Sequence, residues 1–395
     1  MKLVVRLFVS LVSLAVVGCS ASPGDGSAVL APPPELSAIA TLGEHIFHDP
    51  SLSASGRMAC ATCHSPADGF AAPPGGGPVP LGGPALTTAG FRNAPSLKYL
   101  VANPSFFFDS EGTPTGGFDR DGRANSLALQ ARRPFLAAHE MANASVAAVV
   151  AKAAAATYAA DFRAAFGDDI FSRPDDAFER MLLALQHYEL EDVGEFAPYS
   201  SKYDKFLAGS AQFSAQELRG LALFNDPTRG NCAGCHPSAR GAGGAPPLFT
   251  DFTYDNLGVP RNPAIPANAD PSYFDLGICG PDRTDVVALR PDLCGAFKVP
   301  TLRNIALTAP YFHNGRFATL REALEFYVQR DTNPENFYPL DAGGQPIKFD
   351  DLPDIYRANV NTTEVPYNRH AGDVPALRDS DIDDVIAFLN TLTDQ

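Results

Sequence analysis

A mainly α-helical fold, built from one unit written twice, is what the sequence predicts, and three observations predict it. Apolar residues recur at helical spacing in several segments, whereas strand-like runs are few and short. The pattern Cys-x-x-Cys-His occurs twice, at 60–64 and at 232–236. The residues around the two copies also echo one another: LGEHIFHDPSLSASGRMACATCH (42–64) matches LRGLALFNDPTRGNCAGCH (218–236), and FRNAPSLKYLVANPSFFFD (91–109) matches FKVPTLRNIALTAPYFHNG (297–315). Repetition at this range is economically explained by duplication, with halves at 35–208 and 209–395.

In chain order, residues 1–19 read as an export signal. Lys2 and Arg6 flank an apolar run, LFVSLVSLAVVG, shorter than the roughly 20 residues of a membrane span. The run ends in Val16-Val17-Gly18-Cys19, which resembles a bacterial lipobox, so Cys19 is expected to carry a lipid that anchors the chain to a membrane; the alternative is an ordinary cleaved signal. Ser20 after it, rather than Asp, leans towards the outer membrane, facing the periplasm. Residues 20–34 read as a flexible tether. A helical pattern precedes each Cys-x-x-Cys-His copy, and a Gly/Pro-rich loop follows the first. Helices are predicted at 143–166, 175–191, about 319–330 and 379–393, the last with Asp residues in its first turn.

Composition narrows the function. Thirty Lys and Arg stand against 45 Asp and Glu, a formal charge of −15, which argues against nucleic acid or an anionic membrane surface as partner. Two Cys-x-x-Cys pairs can make a zinc site, and one alone can be a redox pair. Against zinc, the pairs head separate copies of a repeat; against redox chemistry, His follows both times. Cys60, Cys63 and His64, with Cys232, Cys235 and His236, instead have the spacing that ties a haem to the chain through two thioethers and gives its iron one imidazole. That makes each half a cytochrome c-like haem domain. Cys279 and Cys294 remain, and in an oxidising compartment they are expected to form a disulfide.

Together with RNAPSL, DGRANSLALQARRPFLAAHEM, VPTLRNIALTAPYFHNGRFATLREALEFY and DIDDVIAFLNTLTD, these motifs resemble the bacterial di-haem cytochrome c peroxidases and their MauG-type relatives, in order as well as content. The resemblance implies that hydrogen peroxide reacts at the first haem while the second relays or stores electrons. It places a distal Gln, Pro and Glu on Gln130, Pro134 and Glu140, with Glu140 as the acid–base group that moves a proton between peroxide oxygens. It places the sixth ligand of the second haem on Tyr327, where other members have Met; all four Met residues here precede the second motif. It also implies a calcium ion between the haems, held by Asn93 and the carbonyls of Thr308 and Pro310.

Members that require reductive activation close the first haem with a His from the loop after the motif. Residues 65–138 contain neither His nor Met, so the first iron is expected to be open; His139 is expected to face away from the pocket. One departure stands out: the family's inter-haem Trp falls on Arg120, and the chain has no Trp at all. Phe107 and Phe108 occupy an alternative alignment. His45 and His48 are read as surface or packing residues and His313 as a supporting residue, while His187 and His370 carry no signal. The expected function is peroxide reduction with electrons from a small cytochrome c or cupredoxin. The rivals are a MauG-like oxidase of a partner protein, disfavoured by the missing Trp, and a non-enzymatic electron-transfer cytochrome. Pairing into a homodimer is compatible with the sequence.

Overall fold

The computed structural model describes residues 35–395, so the signal peptide, Cys19 and the tether lie outside the described residues. Its helices are α1 (Ala38–His48), α2 (Cys60–Cys63), α3 (Leu127–Arg132), α4 (Val146–Ala153), α5 (Ala159–Phe166) and α6 (Pro174–Glu191). They continue with α7 (Val193–Phe196), α8 (Lys202–Leu207), α9 (Ala215–Asn225), α10 (Leu320–Gln329) and α11 (Asp379–Asn390). Sheet is confined to three two-residue antiparallel pairs: β1 (Leu81–Gly82) with β2 (Thr88–Ala89), β3 (Phe107–Phe108) with β4 (Pro114–Thr115), and β5 (Tyr254–Asp255) with β6 (Phe297–Lys298). The fold is mainly helical, as the periodicity predicts. Among the described residues, no helix is long and apolar enough to cross a membrane.

The helices that lead into the two motifs start and pack alike. Ser37 caps α1 by accepting from the Ala40 N–H, and Ser214 caps α9 in a reciprocal box with Glu217. Gly43 of α1 presses on the Ala184 carbonyl of α6, where a Cβ would come within 2.0 Å of the oxygen. Gly220 of α9 meets the Asp384 carbonyl of α11 in the same way, at 1.9 Å. Only glycine allows either crossing to be so close. The first core runs from Leu42 through Phe47, Phe70 and Phe178 to Phe196; the second runs from Tyr203 through Phe224 and Phe249 to Leu392. Residues 36–395 nonetheless form one compact unit.

The single helix predicted over 143–166 is instead two, α4 and α5. Its alanine run suits a helix but offers no large apolar face to keep one straight. The break frees Tyr158 to donate its hydroxyl to Asp49 Oδ2 at 2.7 Å and to stack on His45. Elsewhere the predicted helices hold within a few residues, and Thr319 and Glu322 form a reciprocal capping box at α10. The Cys279–Cys294 disulfide is formed. Charged links cross the chain: Arg92 forks onto both oxygens of Asp275 and also donates to Asp121 at 2.7 Å.

Candidate active site

Each Cys-x-x-Cys-His copy sits on a short turn that fixes its imidazole. His64 Nδ1 donates towards the carbonyls of Pro95 (3.0 Å) and Phe70 (3.2 Å), and His236 Nδ1 donates to the Phe249 carbonyl at 2.7 Å. Spending Nδ1–H on a carbonyl leaves Nε2 as the free lone pair, the arrangement a metal-bound imidazole needs. Burial holds both imidazoles below their usual pKa, so they stay neutral. The four cysteines carry no disulfide. Burial pushes the Cys60 thiol up to about 12 and that of Cys63 to about 11, and it lifts both Cys232 and Cys235 to about 12.

A cavity of about 170 Å³ opens over His64. Gln130, Pro134, His139, Glu140 and Met141 share its wall, so the three predicted distal residues are brought together with the first imidazole. Glu140 Oε1 accepts from Arg133 Nη1 at 3.1 Å and lies 3.5 Å from His139 Nε2. Arg133 in turn donates through Nη2 to Asp282 at 2.7 Å. Asp282 belongs to the disulfide-closed segment, so a residue far along the chain braces the distal acid. The Met141 N–H donates to the Pro134 carbonyl, tying the two ends of the distal turn.

His139 does not face away: it lines the cavity and packs its ring on Phe91 at 5.0 Å. The tight turns of 133–142, which end with Ala142 at φ 55°, swing it inward. Met58 and Met141 also reach the wall, though both are packed into the first core. The same wall holds a residue the sequence reading missed, Glu189 of α6. It is 6% exposed, its Oε2 has no partner among the described residues, and burial alone pushes its pKa up to about 8. Superposing the two glycine crossings would have found it, because Glu189 then stands where the second half has Leu389.

A larger cavity of about 310 Å³ surrounds His236. Tyr327 projects into it from α10, and its hydroxyl has no hydrogen-bond partner among the described residues. Burial, then the Cys235 and Cys232 sulfurs and Asp255, push that phenol well above its ordinary pKa. Tyr367, also overlooked from sequence, lines the same cavity, its ring centroid 6.3 Å from that of Tyr327.

Between the cavities runs a shared wall that includes Asn93, Asp119, Arg120 and Gln130. Arg120 thus occupies the inter-haem position, while Phe107 and Phe108 on β3 are exposed and cannot bridge the pockets. Asn93 is buried with Oδ1 unpartnered, its Nδ2 lies 2.5 Å from the Pro310 carbonyl, and Thr308 and Pro310 line the larger cavity beside it. An orphan amide oxygen with nearby carbonyls suits a hard cation. His313 is buried against Phe297, with ring centroids 3.7 Å apart, and burial pushes its pKa down to about 3. His45 and His48 stay on the exposed face of α1.

The di-haem cytochrome c peroxidase family model matches residues 37–212. The methylamine utilization protein MauG of Paracoccus denitrificans is 35% identical over 389 residues, covering 94% of this chain and 92% of the relative. The cytochrome c551 peroxidase of Nitrosomonas europaea is 31% identical, covering 83% of this chain and 86% of that one. Among solved structures, the diheme peroxidase BthA of Burkholderia thailandensis superposes with a TM-score of 0.82 at 40% identity, covering 92% of this chain and 87% of that one. Two matched pockets each anchored by Cys-x-x-Cys-His, together with likeness along nearly the whole chain, place this protein in the di-haem cytochrome c peroxidase and MauG family, whose members are oxidoreductases with two c-type haems and peroxide-dependent activity.

Proposed function

We propose that the protein reduces hydrogen peroxide to two waters at the first haem, using two protons and two electrons delivered through the second haem by a small cytochrome c or cupredoxin. The observation that carries this reading is the convergence of Gln130 and Glu140 on the cavity over His64, with Glu140 braced by Arg133. When bound, the first haem supplies the iron that accepts peroxide and helps cleave its O–O bond. Glu140 supplies the proton traffic: its carboxylate takes a proton from the inner peroxide oxygen and returns it to the outer one. Arg133 holds that carboxylate in place, and the Gln130 amide orients the bound oxygens. Pro134 excludes volume and keeps the turn rigid. His64 and His236 would hold the two haem irons through Nε2, and Tyr327 would be the further residue holding the second haem.

The stretch 65–138 supplies no ligand to the first iron, so the fully ferric protein should react at once with H2O2 in a stopped-flow experiment without reductant, its Soret band shifting during mixing. A ferric form inert until pre-reduced would mean the first iron is closed, with His139 the first candidate and Met141 the second. Two closed haems with no peroxide turnover would favour the electron-transfer cytochrome. Arg120 favours peroxide reduction over oxidation of a partner protein, since no indole is present to share oxidising charge between the pockets.

The remaining parts of the reading rest on sequence and geometry together. The matched glycine crossings support an internal duplication with halves at 35–208 and 209–395. The lipobox supports periplasmic placement with a lipid on Cys19. The orphan Asn93 Oδ1 supports calcium bound with Thr308 and Pro310; calcium analysis of the protein before and after chelation tests it.

A further inference from the structure

Two cations on the wall of the larger cavity, Arg120 and Lys298, make no ion pair among the described residues. Arg120 spends Nε on the Asn93 carbonyl at 2.9 Å, and its two terminal nitrogens bond to nothing among the described residues. Lys298 donates from Nζ only to neutral acceptors, Asn103 Oδ1 at 2.8 Å and the Gly117 carbonyl at 2.5 Å. The two are joined through the backbone, the Lys298 N–H donating to the Arg120 carbonyl at 2.9 Å. Burial pushes Arg120 down to about 10 and Lys298 to about 8, although Asp275 acts against the shift of the first and Asp119 and Asp121 against that of the second.

The neighbouring acids are already engaged. Asp275 takes the fork of Arg92, Asp121 takes Arg92 and Arg123, and Asp119 takes Arg123 at 3.2 Å. Both cations nevertheless line the larger cavity, and Arg120 lines the smaller one too. Both are half-buried on a cavity wall, where a cation without an acidic partner favours an anion in the cavity. The cofactor that fills these cavities brings anions. Each haem is tied down by its cysteines at one edge and carries two propionate carboxylates at the other.

We propose that Arg120 and Lys298 bind haem propionates, with Arg120 placed to bridge the carboxylates of both haems across the shared wall. The guanidinium fork suits carboxylate oxygens, and its position on both cavities lets one side chain serve two cofactors. The residue that replaces the inter-haem indole is then an electrostatic link: it sets the potentials of the two haems instead of carrying an oxidised ring.

The test is spectroelectrochemical titration of the two-haem protein with Arg120→Gln, Arg120→Lys and Lys298→Gln, paired with resonance Raman spectra of the propionate bending bands. Removing a cation leaves a carboxylate uncompensated, which favours ferric over ferrous haem. Arg120→Gln should therefore lower the midpoint of at least one haem by a tenfold change in the oxidised-to-reduced ratio, about 59 mV for one electron. Arg120→Lys should restore most of that shift, and Lys298→Gln should lower the second haem's midpoint alone. The propionate bands should move in both Gln variants. If Arg120→Gln does not retain both haems, Lys298→Gln and the Raman bands of Arg120→Lys decide the matter. Unchanged midpoints and unchanged propionate bands would overturn the proposal.

Discussion

Replacing Glu189 by Leu puts into the first half the side chain that the second half carries at Leu389. Glu189 is 6% exposed, unpartnered at Oε2, and held by burial at a pKa of about 8 against an ordinary 4.5. The sign follows from proton binding. Between pH 4.5 and 8 the folded protein keeps a proton that the unfolded chain has released, so this group's contribution to stability falls as pH rises through that window. Above the folded pKa the loss levels off. Each pKa unit is worth 1.36 kcal/mol, and with partial ionisation at both ends the loss between pH 5 and pH 8 is about 3.5 kcal/mol. Glu189→Leu removes this term, and Glu189→Gln removes the titration while keeping a buried polar group. The assay is denaturant unfolding of the two-haem protein, followed by far-UV circular dichroism at pH 5 and pH 8. The advantage of Glu189→Leu over the parent should grow by about 3.5 kcal/mol between the two pH values, and Glu189→Gln should show the same growth from a lower start. Other titrating groups cancel in the difference. An advantage that does not change with pH would show that the carboxyl is charged or paired in the folded protein.

Replacing Tyr327 by Phe should turn the second haem towards high spin or admit an outside ligand, read by electron paramagnetic resonance, with the first haem's signal nearly unchanged. Tyr367→Phe is the matched comparison: a low-spin signal lost there instead would move the ligand to Tyr367. Glu140→Gln should retain both haems and still bind peroxide, yet lose on the order of 10²-fold in turnover; a near-normal rate would reduce Glu140 to a structural role. Replacing Cys232 and Cys235 by Ser should leave one covalent haem after denaturation, and extraction of both haems from the parent into acidified organic solvent would refute thioether attachment.

What could be read from the sequence follows the range of the interactions involved. Covalent haem attachment fixes Cys60, Cys63 and His64 within five residues, so no folding information is needed to see it. Helices α1, α9, α10 and α11 were legible because periodic apolar faces and local signals at their ends reside within the segments themselves. The break between α4 and α5 was not, since it depends on Asp49 and His45 being delivered to Tyr158 from a distant helix. His139 was misread for a similar reason: its direction is set by turn geometry, which adjacency to Glu140 does not encode. Nor could spacing reveal that Asp282 would travel from the disulfide loop to brace Arg133.

The two Cys-x-x-Cys-His motifs face cavities with different linings. Around His236 the lining is aromatic, with the Tyr327 ring 5.4 Å from that of Phe312 and 6.3 Å from that of Tyr367. Such a wall offers few polar groups to a small ligand, with the Tyr327 hydroxyl among them. Around His64 the corresponding space is bordered by Gln130, Glu140, His139 and the unpartnered Glu189, groups able to orient or exchange protons with a small oxygen ligand. Leu389 and Glu189 make the contrast at one matched position, apolar against acidic. With its pKa pushed up by burial, a carboxyl there opposes stability above pH 4.5, a cost that Leu389 does not carry. Under the proposed function this contrast is expected, because peroxide chemistry needs polar groups able to move protons in a cavity that excludes bulk water, whereas electron storage does not.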